Sequence, residues 1–131
     1  MIRKNSVVTC VDNTGVKLVK VFQVVGCRHR RKANIGDFVW VSVVARNLKA
    51  KNMQNEKQMW RFRRGAVHKA IIVQTSSWYQ RRNRTFICWD RNAVILVDKN
   101  KVPLGSRVVQ GIPSEVVSLY PTLGQVCEWI V

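Results

Sequence analysis

The chain has 131 residues, 47% of them hydrophobic, with 23 Lys and Arg against 7 Asp and Glu and a net charge of +16. That length and apolar content describe one domain able to bury a core and exclude a disordered basic tail, while the charge makes a polyanion the expected partner, nucleic acid before an anionic membrane. No apolar run approaches the roughly 18 residues of a membrane span, no basic amphipathic helix is evident, and the opening MIRKNSVVTC is neither a signal peptide nor an Arg/Ser-rich transit peptide.

In chain order, Ser6 to Val11 is a short β-rich run, and Asp12-Asn13-Thr14-Gly15 is turn chemistry. Lys17 to Val25 reads as a longer strand ended by Gly26. A basic loop, Arg28-His29-Arg30-Arg31-Lys32, follows and closes at Ile35-Gly36-Asp37. Phe38 to Val44 is a third strand, too apolar to have one face fully in water, with Trp40 expected in the core. Strand, turn, strand, loop, strand without helical periodicity implies an antiparallel barrel or sandwich.

Residues 46–68 differ. They carry Arg46, Lys49, Lys51, Lys57, Arg61, Arg63 and Arg64 against one acid, Glu56, with Trp60 and Phe62 embedded. The expectation is an extended loop or ribbon projecting from the barrel, folded or ordered by a partner, since long loops in compact domains are usually functional. A solvated linker is the alternative.

Lys69 to Val97 has two apolar, β-branched arms, Ala70 to Val73 and Ala93 to Val97, which read as buried strands. Between them lie Trp78, Tyr79, Arg81, Arg82 and Arg84, followed by Phe86, Trp89 and Arg91. Arginines interleaved with aromatic rings on a rigid sheet suit a phosphate backbone with nearby bases. The competing reading is a solvated hairpin tip, with Trp78 and Tyr79 capping the barrel end.

Beyond the turn at Asp98 to Lys101 and the irregular Pro103 to Arg107, the pair Ser114-Glu115 after Pro113 suggests a capped helix at about 114–119. Pro121 and Gly124 are expected to break it, with a second helical turn near 125–129. Residues 1–113 are thus a barrel with a basic arm, and 114–131 a short helical segment packed on the barrel or on a partner. All Lys and Arg lie at or before Arg107, and residues 108–131 hold only Glu115 and Glu128 as charges. A phosphate-facing surface would not be built so; the tail completes the core or meets a protein.

Cys10, Cys27, Cys88 and Cys127 form no CxxC, and only Cys27-Arg28-His29 sets two ligand types close together. Zinc ribbons need paired spacing, so buried reduced thiols and no metal are expected. There is no Gly-x-Ser-x-Gly, P-loop or dinucleotide-binding glycine pattern and no evident carboxylate pair, so neither an enzyme nor a cofactor is expected.

Several segments, in this order, resemble the universal family of large-subunit ribosomal protein number fourteen. They are Val11 to Gly15 (VDNTG), Gly26 to Asp37 (GCRHRRKANIGD), Lys69 to Thr75 (KAIIVQT), Trp89 to Val97 (WDRNAVILV) and Pro103 to Arg107 (PLGSR), spanning about residues 5–113. The resemblance implies an all-β fold: a small closed five-stranded antiparallel β-barrel with a projecting basic ribbon and one or two short C-terminal helices. It implies a structural constituent of the large ribosomal subunit that binds large-subunit rRNA, touches neighbouring ribosomal proteins and helps bridge to small-subunit rRNA. A ribosome-silencing factor docks on the same face in family members, and Ser106 and Arg107 fall on that motif. The rRNA-binding candidates are Arg28, His29, Arg30, Arg31, Lys32, Lys49, Lys51, Arg61, Arg63, Arg64, Trp78, Tyr79, Arg81, Arg82, Arg84 and Arg91. Departures are the missing Gly in Arg81-Arg82-Asn83-Arg84, Trp89 where Phe is usual, Arg91 where Gly is common, a longer arm and a tail without basic residues. They suggest a mitochondrial ribosome and matrix location, with a plastid or bacterial cytoplasm as alternatives. The rival function is a free-standing OB-like barrel binding single-stranded nucleic acid; a pure protein-interaction module fits the net charge poorly.

Overall fold

In the computed structural model, which describes residues 2–26, 32–47, 49 and 56–131, the chain is built around a closed barrel. Its strands are β2 (Val7–Cys10), β3 (Val16–Val24), β5 (Phe38–Arg46), β6 (Val67–Gln74) and β9 (Ala93–Val97), each hydrogen-bonded to the next. Two small ribbons flank it: β1 (Ile2–Arg3) with β4 (Lys32–Ala33), and β7 (Tyr79–Gln80) with β8 (Phe86–Ile87). Three short helices complete the described residues: α1 (Glu56–Arg61), α2 (Ser114–Leu119) and α3 (Pro121–Gly124). No helix among the described residues is long and apolar enough to cross a membrane.

The barrel is not antiparallel throughout. Strand direction reverses at each of the four steps from β2 to β9, so the first and fifth strands run the same way. The closing seam, Thr9 opposite Ala93 and Cys10 opposite Val94, is therefore parallel. An odd number of strands in chain order leaves no other solution.

Period-two alternation fills the lumen. In β5, Val39, Val41 and Val43 are buried while Phe38, Trp40 and Ser42 are only partly covered. Together with Val8, Val19, Val21, Ala70, Ile72, Val94 and Leu96 they form the inner core. Trp40 thus lies on the outer wall rather than in the core, because it shares strand parity with Phe38 and Ser42.

β6 and β9 are buried on both faces, which explains their unbroken apolar runs. Their outward residues Ile71, Val73, Ala93, Ile95 and Val97 meet Val108, Ile112, Val116 and Leu123 in a second core. The C-terminal segment lies over this wall, with Val108 bridging to Cys127 and Ile112 to Ile130. Each fully buried Val, Leu or Ile contributes about 1.5–3 kcal/mol, so this layer is a large share of the fold.

Several local expectations change. α2 spans 114–119 as expected, but Pro113, not Ser114, is its N-cap, and no side chain caps it. The second helical turn falls at 121–124 rather than 125–129: Pro121 opens it, where a missing N–H is harmless. Within the arm, the described residues 56–61 are helical where a loop or ribbon was expected. This is α1, and Phe62 after it is 1% exposed in the inner core, its amide donating to the Gln58 carbonyl at 3.0 Å. Of the described cysteines only Cys10 is buried; Cys88 and Cys127 are half-buried.

Candidate nucleic-acid interface

The loop from β6 to β9 is a hairpin with a five-residue turn. The Arg81 amide donates to the Thr85 carbonyl at 2.7 Å and the Arg84 amide to the Arg81 carbonyl at 3.2 Å. The Asn83 carboxamide oxygen accepts from the Thr85 amide at 3.2 Å and from the Thr85 hydroxyl. Arg84 sits at φ 66°, the left-handed conformation that glycine takes without strain. At the hairpin base, the Ser76 amide donates to Asn92 Oδ1 at 2.9 Å and the Trp89 amide to the Thr75 carbonyl at 2.9 Å.

This geometry divides the arginines. Arg82 and Arg84 are exposed at the tip, flanked by Trp78 (71% exposed) and Phe86 (59% exposed). Tyr79 is half-buried against the outer core, and Arg91 is half-buried. Arg81 turns inward: its Nε lies 2.9 Å from Glu115 Oε1, and its Nη2 donates to Glu115 Oε2 at 3.3 Å and to the Val131 carbonyl. It ties the hairpin to the tail. Phe86, an exposed ring beside Arg84, was absent from the sequence candidates; its alternation with Ile87 on a two-residue strand is too short a signal to read.

The arm presents a second basic surface. Arg61, Arg63 and Arg64 are exposed, as is Lys49. The Arg63 guanidinium stacks over Trp60 at 4.3 Å from the ring centroid, so Trp60 holds a cation in place. Arg64 Nε donates to the Val44 carbonyl at 3.2 Å, and Arg46 Nη1 to the Met59 carbonyl at 2.9 Å, pinning the arm to β5. A ring nitrogen of His68 donates to the Arg61 carbonyl at 2.9 Å, and burial pushes its pKa down, so it adds no charge here at neutral pH.

The arm enters β6 at Val67 and the hairpin leaves it at Gln74, so these two basic regions sit at opposite ends of the strand, roughly 23 Å apart at 3.3 Å per residue. The sequence grouped them as loops of one barrel without that separation. Lys32 is exposed on β4, directly opposite Arg3 on β1. Arg3, which the sequence reading passed over, thus stands in cross-strand register with a like charge, a destabilising arrangement unless it is screened. Arg28, His29, Arg30, Arg31 and Lys51 lie outside the described residues, as does the Cys27-Arg28-His29 grouping.

Ser106 and Arg107 are exposed and held by the VDNTG turn. Asn13 Nδ2 donates to Ser106 Oγ at 2.8 Å, and Asn13 Oδ1 accepts from the Ser106 amide at 2.8 Å and the Arg107 amide at 3.2 Å. A Cβ on Gly105 would stand 2.8 Å from Asn13 Oδ1, which explains the glycine. Asp12 locks the other side: Oδ1 accepts from the Thr14 hydroxyl at 2.6 Å and from the Cys10 thiol at 3.0 Å, and Oδ2 from the Leu96 amide at 3.1 Å. The Arg107 guanidinium pairs with Glu128.

The VDNTG and PLGSR motifs, distant in sequence, thus form one hydrogen-bonded unit. The family model of ribosomal protein L14p/L23e matches residues 1–130. The chain belongs to that family. A relative named large ribosomal subunit protein uL14, from Petrotoga mobilis, is 34% identical over 116 residues, 88% of this chain and 87% of that protein. The chain is accordingly a ribosomal protein, with the closed barrel its sequence resemblance implied.

Proposed function

We propose that this L14-family protein is a structural constituent of the large ribosomal subunit that binds large-subunit rRNA at both ends of its barrel. The observation that carries this reading is the distribution of charge. Exposed Arg82 and Arg84 with Trp78 and Phe86 mark one end, and Arg61, Arg63, Arg64 and Lys49 the other, while residues 108–131 add none. Each cation meeting a phosphate releases counterions, and arginine's planar fork both grips phosphate and stacks on bases. Arg81 serves as a positioning residue for the hairpin. Folded rRNA presents mainly shape, backbone and 2′-hydroxyls, so affinity without a base code is expected.

The Ser106–Arg107 face, fixed by Asn13, serves the bridge to small-subunit rRNA and the docking of a ribosome-silencing factor. The departures in the hairpin and the tail without basic residues support a mitochondrial ribosome. The protein works by binding and not by catalysis.

The OB-like alternative loses support from topology. An OB-fold is a partly open Greek-key barrel, whereas this barrel is closed with strands in chain order. Competition decides between them. The purified chain should hold folded large-subunit rRNA against excess unstructured oligonucleotide; equal affinity for both supports the OB-like reading.

A further inference from the structure

One feature of the barrel wall belongs to neither basic end. On the outer face of β5 and β6, Lys69 stands in register with Trp40. Its Nζ lies 5.4 Å from the Phe38 ring centroid and 5.7 Å from that of Trp40. Lys101, from the turn after β9, places its Nζ 5.2 Å from the same Phe38 ring and 5.7 Å from Tyr120. Phe38 and Tyr120 meet edge to face at 5.1 Å, and the Tyr120 hydroxyl donates to the Gly36 carbonyl at 3.1 Å. The result is a continuous row: Trp40, Lys69, Phe38, Lys101, Tyr120.

We propose that this row is a third rRNA contact, in which Lys69 and Lys101 hold consecutive phosphates of a single-stranded stretch and the Trp40 ring takes a base. The inference rests on the large-subunit reading above. Three observations favour RNA over a protein. First, the ring faces steer two otherwise mobile ammonium groups to defined positions, which suits a ligand with regularly spaced anions. Second, Lys20 is exposed on the neighbouring strand opposite Ser42, two residues beyond Trp40, so positive charge continues along the wall. Third, β5 and β6 connect the arm end to the hairpin end, so a backbone tracking between the two basic regions crosses this wall. The neighbouring acids are engaged by backbone amides: Asp37 by that of Asn34 at 2.7 Å, and Asp98, in the turn that carries Lys101, by those of Asn100 at 2.8 Å and Val102 at 2.9 Å; burial first, then Asp37, raises the pKa of Tyr120.

The test is amine labelling combined with ultraviolet cross-linking, read by peptide mass in intact large subunits and in the isolated full chain. Lys69 and Lys101 should react in the isolated chain and lose reactivity in the subunit, with nucleotide remnants on peptides bearing Trp40 or Tyr120. Protection without nucleotide adducts means that a protein covers the row, and overturns the proposal. Undiminished labelling means an open surface, and overturns it equally. Absence of the chain from large subunits would sink the broader reading instead. The same labelling with purified large-subunit rRNA then decides the row alone: protection of both lysines sustains it, none ends it.

Discussion

Asn13 and Ser106 are separated by 93 positions in the chain, and each donates a hydrogen bond to the other at 2.8 Å. The turn after β2 thereby sets the conformation of the exposed Ser106–Arg107 face. Replacing Asn13 with Ala should cost about 1 kcal/mol, the low end for unsatisfied partners because water reaches this site. Chemical denaturation would read that loss, and Asn13→Ala subunits should join small subunits less well. Arg107→Glu should weaken joining while the chain still enters the large subunit; loss of entry would move Arg107 to the rRNA side.

The hairpin arginines should separate by role. Arg81→Ala removes charge-assisted bonds to Glu115 and Val131 in a pair only 20% and 24% exposed. Unfolding stability should drop by about 1.5–3 kcal/mol. The double variant Arg82→Ala/Arg84→Ala should keep its stability and lose rRNA affinity. The slope of log affinity against log salt should flatten by roughly 0.7–0.9 per lost phosphate contact. An unchanged slope would take the hairpin tip off the RNA.

Arg84 makes a finer test, because backbone and charge oppose each other there. Its φ of 66° carries a penalty of about 1–2 kcal/mol for a residue with a Cβ, against about 0.5–1 kcal/mol of extra chain entropy lost by glycine. Arg84→Gly should therefore be more stable by about 0.5–1 kcal/mol and bind rRNA less tightly. A destabilised Arg84→Gly would mean that the side chain makes contacts beyond its charge.

How much of this was legible in the sequence follows from which interactions are local. Strand β9 was readable to the residue, since AVILV is apolar throughout and bounded by turn residues. The same run could not reveal that its outer face is covered by residues 108–131, because that is a long-range contact. Trp40 was misplaced for the related reason that FVWVSVV is apolar at both parities, and only the register shows which parity faces the lumen. The arm read as a ribbon because six helical residues carry too little periodicity to register, and because Phe62 alone among its aromatics is buried. In the hairpin, composition placed Arg81, Arg82 and Arg84 together correctly. Their division awaited Glu115, which arrives 34 residues later along the chain.

Alkaline pH should expose the Cys10–Asp12 contact. Burial first, then the Asp12 carboxylate, pushes the Cys10 thiol well above its ordinary value of 9.0. The folded state keeps this proton when the unfolded chain releases it. Its contribution is full below pH 9.0 and is lost as pH climbs beyond that value. Unfolding free energy should fall on that limb, and Cys10→Ala should flatten it. An identical alkaline limb in the variant would assign the loss to other groups.

Whether this barrel is built into the large subunit through rRNA is read by sucrose-gradient sedimentation after a high-salt wash. The chain should stay with the large-subunit peak, because contacts at both ends and along the wall must all dissociate together. Release to the top of the gradient at moderate salt would contradict it, leaving the fold assigned and the function that of a peripheral nucleic-acid binder.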